Sequence, residues 1–212
     1  MNSGSDSRAL QTSGEKLSWW NIPNTITIAR IVLTIFLFVT LAFHRQLGYL
    51  PSLVLFVVAA GTDWLDGFLA RRLHQVTSIG RVLDPFADKL IICGTFVFLA
   101  ADPKMLNTPG GLHPWIVVVI ISRELLITGL RSFLEGQTVD FSAKWSGKFK
   151  MAFQCILAIV AFLYLDRGAT PAKDPGLWTL LVIFTYGTLL LTVYSGAAYV
   201  IIGLRQIRRL EA

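Results

Sequence analysis

Six runs of about twenty apolar residues leave this chain few folds to choose from. They cover about 25–43, 50–72, 82–101, 114–133, 149–165 and 177–203, and each is close to the length a helix needs to cross a bilayer. Within lipid a single chain segment can satisfy its own backbone groups only as a helix, so the runs predict an all-α integral membrane bundle of six transmembrane helices. Composition agrees. The chain is 54% hydrophobic and 15% charged, with a mean hydropathy of +0.61, too apolar for an ordinary soluble domain. Arg123 and Glu124 interrupt the fourth run, which makes it the weakest by hydropathy alone.

Lysine and arginine orient the bundle. With the N-terminus inside, the inner segments hold Arg8, Lys16, Arg71, Arg72, Arg81, Arg131, Lys144, Lys148, Lys150, Arg205, Arg208 and Arg209. The outer connections hold Arg45, Lys104, Arg167 and Lys173, diluted by Asp102, Asp166 and Asp174. Both termini are therefore expected at the cytoplasmic face of the inner membrane. The net charge of +6 suits anionic headgroups and phosphorylated substrates at that face. It does not argue for nucleic acid, because most of the chain is committed to lipid. Residues 1–17 read as a polar, flexible tail without the apolar core of a signal peptide, and 18–212 as one six-helix membrane domain. Cys93 and Cys155 fall inside separate spans and read as packing residues rather than a disulfide.

Against this apolar background one stretch is densely charged: D-W-L-D-G-F-L-A-R from Asp63 to Arg71, and G-R-V-L-D-P-F-A-D from Gly80 to Asp88. Charge at the edge of a span is costly and usually functional. Asp63 and Asp66 are spaced i, i+3 and Asp84 and Asp88 i, i+4, so each pair lies on one helix face. The connection near Gly80 can turn the two faces together. Four converging carboxylates call for hard cations such as Mg²⁺ or Mn²⁺. Room for two ions would match the arrangement used in phosphoryl transfer. Gly67 permits close approach of a ligand or backbone. Arg71, one turn on, can grip a phosphate bidentately. Ordinary solvated helix-end charges would explain neither the paired spacing nor the small residues between them.

The pattern D-x-x-D-G-x-x-A-R-x8-G-x-x-x-D-x-x-x-D resembles the signature of the CDP-alcohol phosphatidyltransferases, with every fixed position kept. The resemblance implies a membrane enzyme with six transmembrane helices, often dimeric, that moves a phosphatidyl-type group from a CDP-linked donor to an alcohol and releases CMP. It implies that Asp63, Asp66, Asp84 and Asp88 hold two divalent ions and that Asp88 is also the general base. Gly67, Arg71 and Thr77 match positions that contact the nucleotide diphosphate. The stretches N-I-P-N-T-I-T-I-A-R (21–30), S-R-E-L-L-I-T-G-L-R (122–131) and W-S-G-K-F-K (145–150) are similar to the branch of that family that makes phosphatidylglycerophosphate. They imply CDP-diacylglycerol as donor and sn-glycerol 3-phosphate as acceptor.

Charge reasoning agrees in kind, since a phosphorylated acceptor needs cations beyond the donor site. Arg123, Arg131, Lys144 and Lys148 are the candidates for it, and Asn24 and Thr25 for the donor. Arg123 is equally open to a plain ion pair with Glu124 or an Asp. Lys144, Lys148 and Lys150 are equally open to service as cytoplasmic anchors, and Asn24 to helix capping. The alternatives are the same transfer to inositol phosphate, serine or phosphatidylglycerol, or an ion or proton transporter, since carboxylates also line transport paths. Expected partners are the two substrates, membrane lipid and a second copy of the chain.

Overall fold

The computed structural model describes residues 22–73, 78–135 and 144–210. Among them the chain is all helix: α1 (Ile22–Ala42), α2 (His44–Leu47), α3 (Leu50–Leu73), α4 (Ser78–Ala100), α5 (Pro103–Leu106), α6 (Pro114–Glu135), α7 (Lys144–Asp166) and α8 (Pro175–Leu210). The six long helices coincide with the six apolar runs, and α6 continues through Arg123 and Glu124 without a break. The tail 1–17 and Thr77 lie outside the described residues.

Prolines set where these helices start. Pro23, Pro51, Pro103, Pro114 and Pro175 each occupy one of the first two helical positions, where a missing N–H costs nothing. Asp102 caps α5 by accepting from the Lys104 N–H, and Asp174 caps α8 by accepting from the Leu177 N–H. Gly168, at φ 56°, ends α7, with the Ala169 N–H returning to the Tyr164 carbonyl.

Contacts between the ends fix the topology. The Tyr49 N–H at the start of α3 donates to Asp166 Oδ1 at the end of α7 at 3.1 Å. The Tyr49 hydroxyl donates to Asp102, just past the end of α4. Burial, reinforced by that carboxylate, pushes the Tyr49 phenol well above its ordinary pKa. His44 Nε2 lies 3.4 Å from the same carboxylate, and Trp178 Nε1 at the start of α8 donates to the Pro109 carbonyl before α6. One end of the bundle thus gathers the connections 43–49, 101–113 and 167–174. The other end holds the ends of α3, α6 and α8 and the starts of α1, α4 and α7.

Helices α1, α3 and α4 pack together, α8 packs on both α6 and α7, and contacts of α3 with α7 and of α4 with α6 and α7 join the two groups. At one crossing of α1 and α4 a Cβ on Gly94 would fall 2.1 Å from the Phe38 ring, so the close approach depends on glycine there. Around an apolar core, the outer faces differ from those of a soluble protein. Val32, Ile35, Phe36 and Val39 on α1, Val54, Val57 and Val58 on α3, and Leu190, Val193 and Tyr194 on α8 are exposed at helical spacing. Thr185, Thr188, Thr192 and Ser195 on α8 are buried. Apolar outside and hydroxyl inside is the distribution that lipid rewards. Two helical stretches, Phe149–Asp166 and Pro175–Ile201, are long and apolar enough to cross a membrane by length and composition, and shorter apolar stretches run over Ile28–Ala42, Leu50–Thr62 and Lys89–Ala100.

Candidate active site

The residues singled out by sequence cluster by topology. Asn24 and Thr25 lie in the first turn of α1, Asp63, Asp66, Gly67 and Arg71 in the last three turns of α3, and Asp84 and Asp88 in the first half of α4. Arg131 is in the last two turns of α6, and Lys144 and Lys148 open α7. All these backbone positions fall in the half of the bundle opposite the Tyr49–Asp102 cluster. The backbone is continuously helical through both Asp pairs, so the i, i+3 and i, i+4 spacings are genuine helical spacings. The side chains of these residues lie outside the described part of the structure, as does all of Thr77. The metal-ligand, base and nucleotide assignments made for them therefore remain expectations.

Arg123 is described in full, and it anchors a charged cluster that joins three helices. Its Nη1 donates to Glu124 Oε1 at 3.3 Å, and its Nη2 donates to Ser195 Oγ on α8 at 3.0 Å. Lys150 on α7 donates to the same Glu124 oxygen. The guanidinium carbon stands 5.6 Å from the centre of the Tyr199 ring, within cation–π range. Ser195 in turn donates to the Thr192 carbonyl at 3.2 Å. Its proton is thereby occupied and a lone pair faces the arginine. The side chains of Arg123, Lys150 and Glu124 are only 11%, 8% and 12% exposed.

Two cations share one carboxylate here, so the cluster carries one positive charge in excess among the described residues. The Arg123 Nε–H is buried and has no partner among them. Holding such a charge away from water is costly unless an anion completes it. Helix α4 passes alongside, packed against both α6 and α7.

Two placements depart from expectation or extend it. Lys150, open to service as a surface anchor, is buried at 6% exposure and tied to Glu124. Arg123 makes the ion pair with Glu124 that the sequence left open, and Lys150 shares that carboxylate. Ser195 and Tyr199 had no motif to announce them. The available signal was the run of hydroxyls at 185, 188, 192 and 195, whose helical spacing marks the inward face of an otherwise apolar helix. Cys93 and Cys155 are both partly buried, and neither forms a disulfide among the described residues.

Helices α3 and α4 bear the intact Asp signature, and α6 and α7, both packed on α4, bear the Arg123–Lys150–Glu124 cluster. The family model for CDP-alcohol phosphatidyltransferase matches residues 20–196. The chain belongs to that family. It is 37% identical to the CDP-diacylglycerol–glycerol-3-phosphate 3-phosphatidyltransferase of Bacillus subtilis (strain 168) over 182 residues, covering 78% of this chain and 90% of the relative. An enzyme with the same name from Sodalis glossinidius (strain morsitans) is 36% identical over 152 residues, covering 68% of this chain and 77% of the relative. That from Yersinia pestis (strain Pestoides F) is 36% identical over 142 residues, covering 63% and 72%.

Proposed function

We infer that the chain transfers the phosphatidyl group from CDP-diacylglycerol to sn-glycerol 3-phosphate, releasing CMP and forming phosphatidylglycerophosphate for phospholipid synthesis. The relatives that carry this activity in their names support both substrates. Among the structural observations, the surplus positive charge of the Arg123–Lys150–Glu124 cluster carries the acceptor assignment. An acceptor with its own phosphate supplies the missing anion, whereas free serine does not match a surplus cation as well.

Asp63, Asp66, Asp84 and Asp88 would hold two Mg²⁺ or Mn²⁺ ions. Their oxygen-only donor set fits hard cations, and the helical register keeps each pair on one face. When bound, such ions supply charge compensation for the diphosphate and for departing CMP. Gly67, Arg71, Thr77, Asn24 and Thr25 bind the donor nucleotide, with Arg71 on a phosphate. Arg123, Arg131, Lys144 and Lys148 hold the acceptor phosphate. Asp88 takes the proton of the acceptor's 1-hydroxyl as that oxygen attacks the β-phosphorus in line with the departing CMP oxygen. The diacyl chains stay in lipid, against the exposed apolar faces of the bundle.

We read the six long helices as six spans and the site as facing the cytoplasm of the inner membrane. In support, Arg45, Lys104, Arg167 and Lys173, the few cations assigned outside, all belong to the end opposite the Asp pairs. The chain acts as a homodimer in membrane lipid.

The test is to give purified protein CDP-diacylglycerol, Mg²⁺ or Mn²⁺ and a panel of acceptors, and to measure CMP release. Release with sn-glycerol 3-phosphate, lost with a chelator and regained with added Mg²⁺ or Mn²⁺, is expected. Release with inositol phosphate, serine or phosphatidylglycerol alone would overturn the acceptor, and no release with any acceptor would overturn the transferase.

A further inference from the structure

Arginine on a flexible stem is a poor recognition device until something holds it, because each bound state must first immobilise several rotatable bonds. Arg123 is held at four points. Glu124 accepts from Nη1, Ser195 accepts from Nη2, the Tyr199 ring lies beneath the plane, and the stem runs against Gly196. A Cβ on Gly196 would sit 3.1 Å from Arg123 Cγ, so even the aliphatic part is confined. Ser195 has no freedom to turn away, its own proton being committed to Thr192. Glu124 is fixed from the other side by Lys150. What this leaves unused is Nε–H, buried and without a partner among the described residues.

We propose that Glu124 and Ser195 are positioning residues for the acceptor: they lock the Arg123 guanidinium so that its Nε–H meets the phosphate of the incoming alcohol, with Lys150 as second cation. This deepens the transferase reading and rests on it. Helix α8, which carries none of the family signature, thereby sets affinity for the acceptor without touching the donor.

The experiment measures KM separately for sn-glycerol 3-phosphate and for CDP-diacylglycerol, with kcat and detergent Tm, in wild type, Ser195→Ala, Ser195→Thr and Glu124→Gln. Losing one hydrogen bond to a charged group is expected to raise the acceptor KM of Ser195→Ala about tenfold. Its donor KM and kcat should stay within about twofold of wild type. Ser195→Thr keeps a hydroxyl and should bring the acceptor KM back within about twofold. Glu124→Gln should move the acceptor KM the same way and further. A role in packing alone would lower Tm and shift both KM values together, without rescue by threonine. That pattern, or an acceptor KM unchanged in Ser195→Ala, overturns the positioning role while leaving the transferase intact. A wild type that releases CMP with no acceptor removes both. Ser195 keeps the test decisive if Glu124→Gln does not fold.

Discussion

A carboxylate that shares its site with two dications is a weak base, since nearby positive charge favours its ionised form. In the proposed site, Asp88 would therefore accept a proton only as the new phosphorus–oxygen bond forms and acidifies the attacking hydroxyl. Replacing it with asparagine keeps the size and removes the proton acceptor. CMP release by Asp88→Asn should fall at least about 100-fold, with detergent Tm close to wild type. Raising Mg²⁺ or Mn²⁺ tenfold separates the two duties of this residue: a pure ligand defect recovers, a lost base does not. Near-normal turnover removes Asp88 from the base role. At this scale the sequence was readable in the helical register of Asp63, Asp66, Asp84 and Asp88, which the backbone of α3 and α4 keeps. It was not readable where a contact joins distant helices. Ser195 lies 72 positions from Arg123, and nothing local to either residue encodes their meeting. Nothing local marks Lys150 for burial, and the fold places it against Glu124.

Between helices in lipid there is no water to expel, so close packing has to supply the attraction. The α1–α4 crossing shows how little slack that leaves. With a Cβ on Gly94 falling 2.1 Å from Phe38 Cζ, the ring must swing away, and it already packs against Phe98 with ring centres 5.6 Å apart. Gly94→Ala is expected to cost about 1–3 kcal/mol, read as a lower Tm in detergent. Phe38→Leu removes the obstructing ring, so the double variant Phe38→Leu, Gly94→Ala should recover at least about half of the loss. Additive losses would mean that the two residues do not meet as described. The six long helices were readable because twenty-residue apolar runs have one plausible fate. Their ends were less so. Helix α8 continues from the apolar run to Leu210 through Arg205, Gln206 and Arg208, and α7 begins at Lys144, five residues before its apolar run. Hydropathy falls there, but Arg, Lys and Gln are good helix formers and the helix carries on. The single-turn helices α2 and α5, four residues each, are too short for any periodic signal.

An even number of crossings returns a chain to the side it started from, so the six proposed spans would commit both termini to one face. At the Tyr49 end the ends of α1, α4 and α7 meet the starts of α3 and α8 and the connection before α6. Arg45 and Lys173 are exposed at that end. Single cysteines placed in a Cys93→Ala, Cys155→Ala background can report the arrangement in intact cells with a membrane-impermeant maleimide. Arg45→Cys and Lys173→Cys should label without permeabilisation, whereas Ser3→Cys and Ala212→Cys should label only after it. The charge asymmetry predicts this orientation and no other, since cations concentrate with the termini and the Asp pairs. The reverse pattern would turn the site outward, away from water-soluble sn-glycerol 3-phosphate in the cytoplasm, and so defeat the proposed reaction. Termini labelled from opposite sides would mean an odd number of crossings. One of the six helices would then lie along the membrane, with α6 the first candidate, because buried Arg123 and Glu124 raise the cost of its insertion.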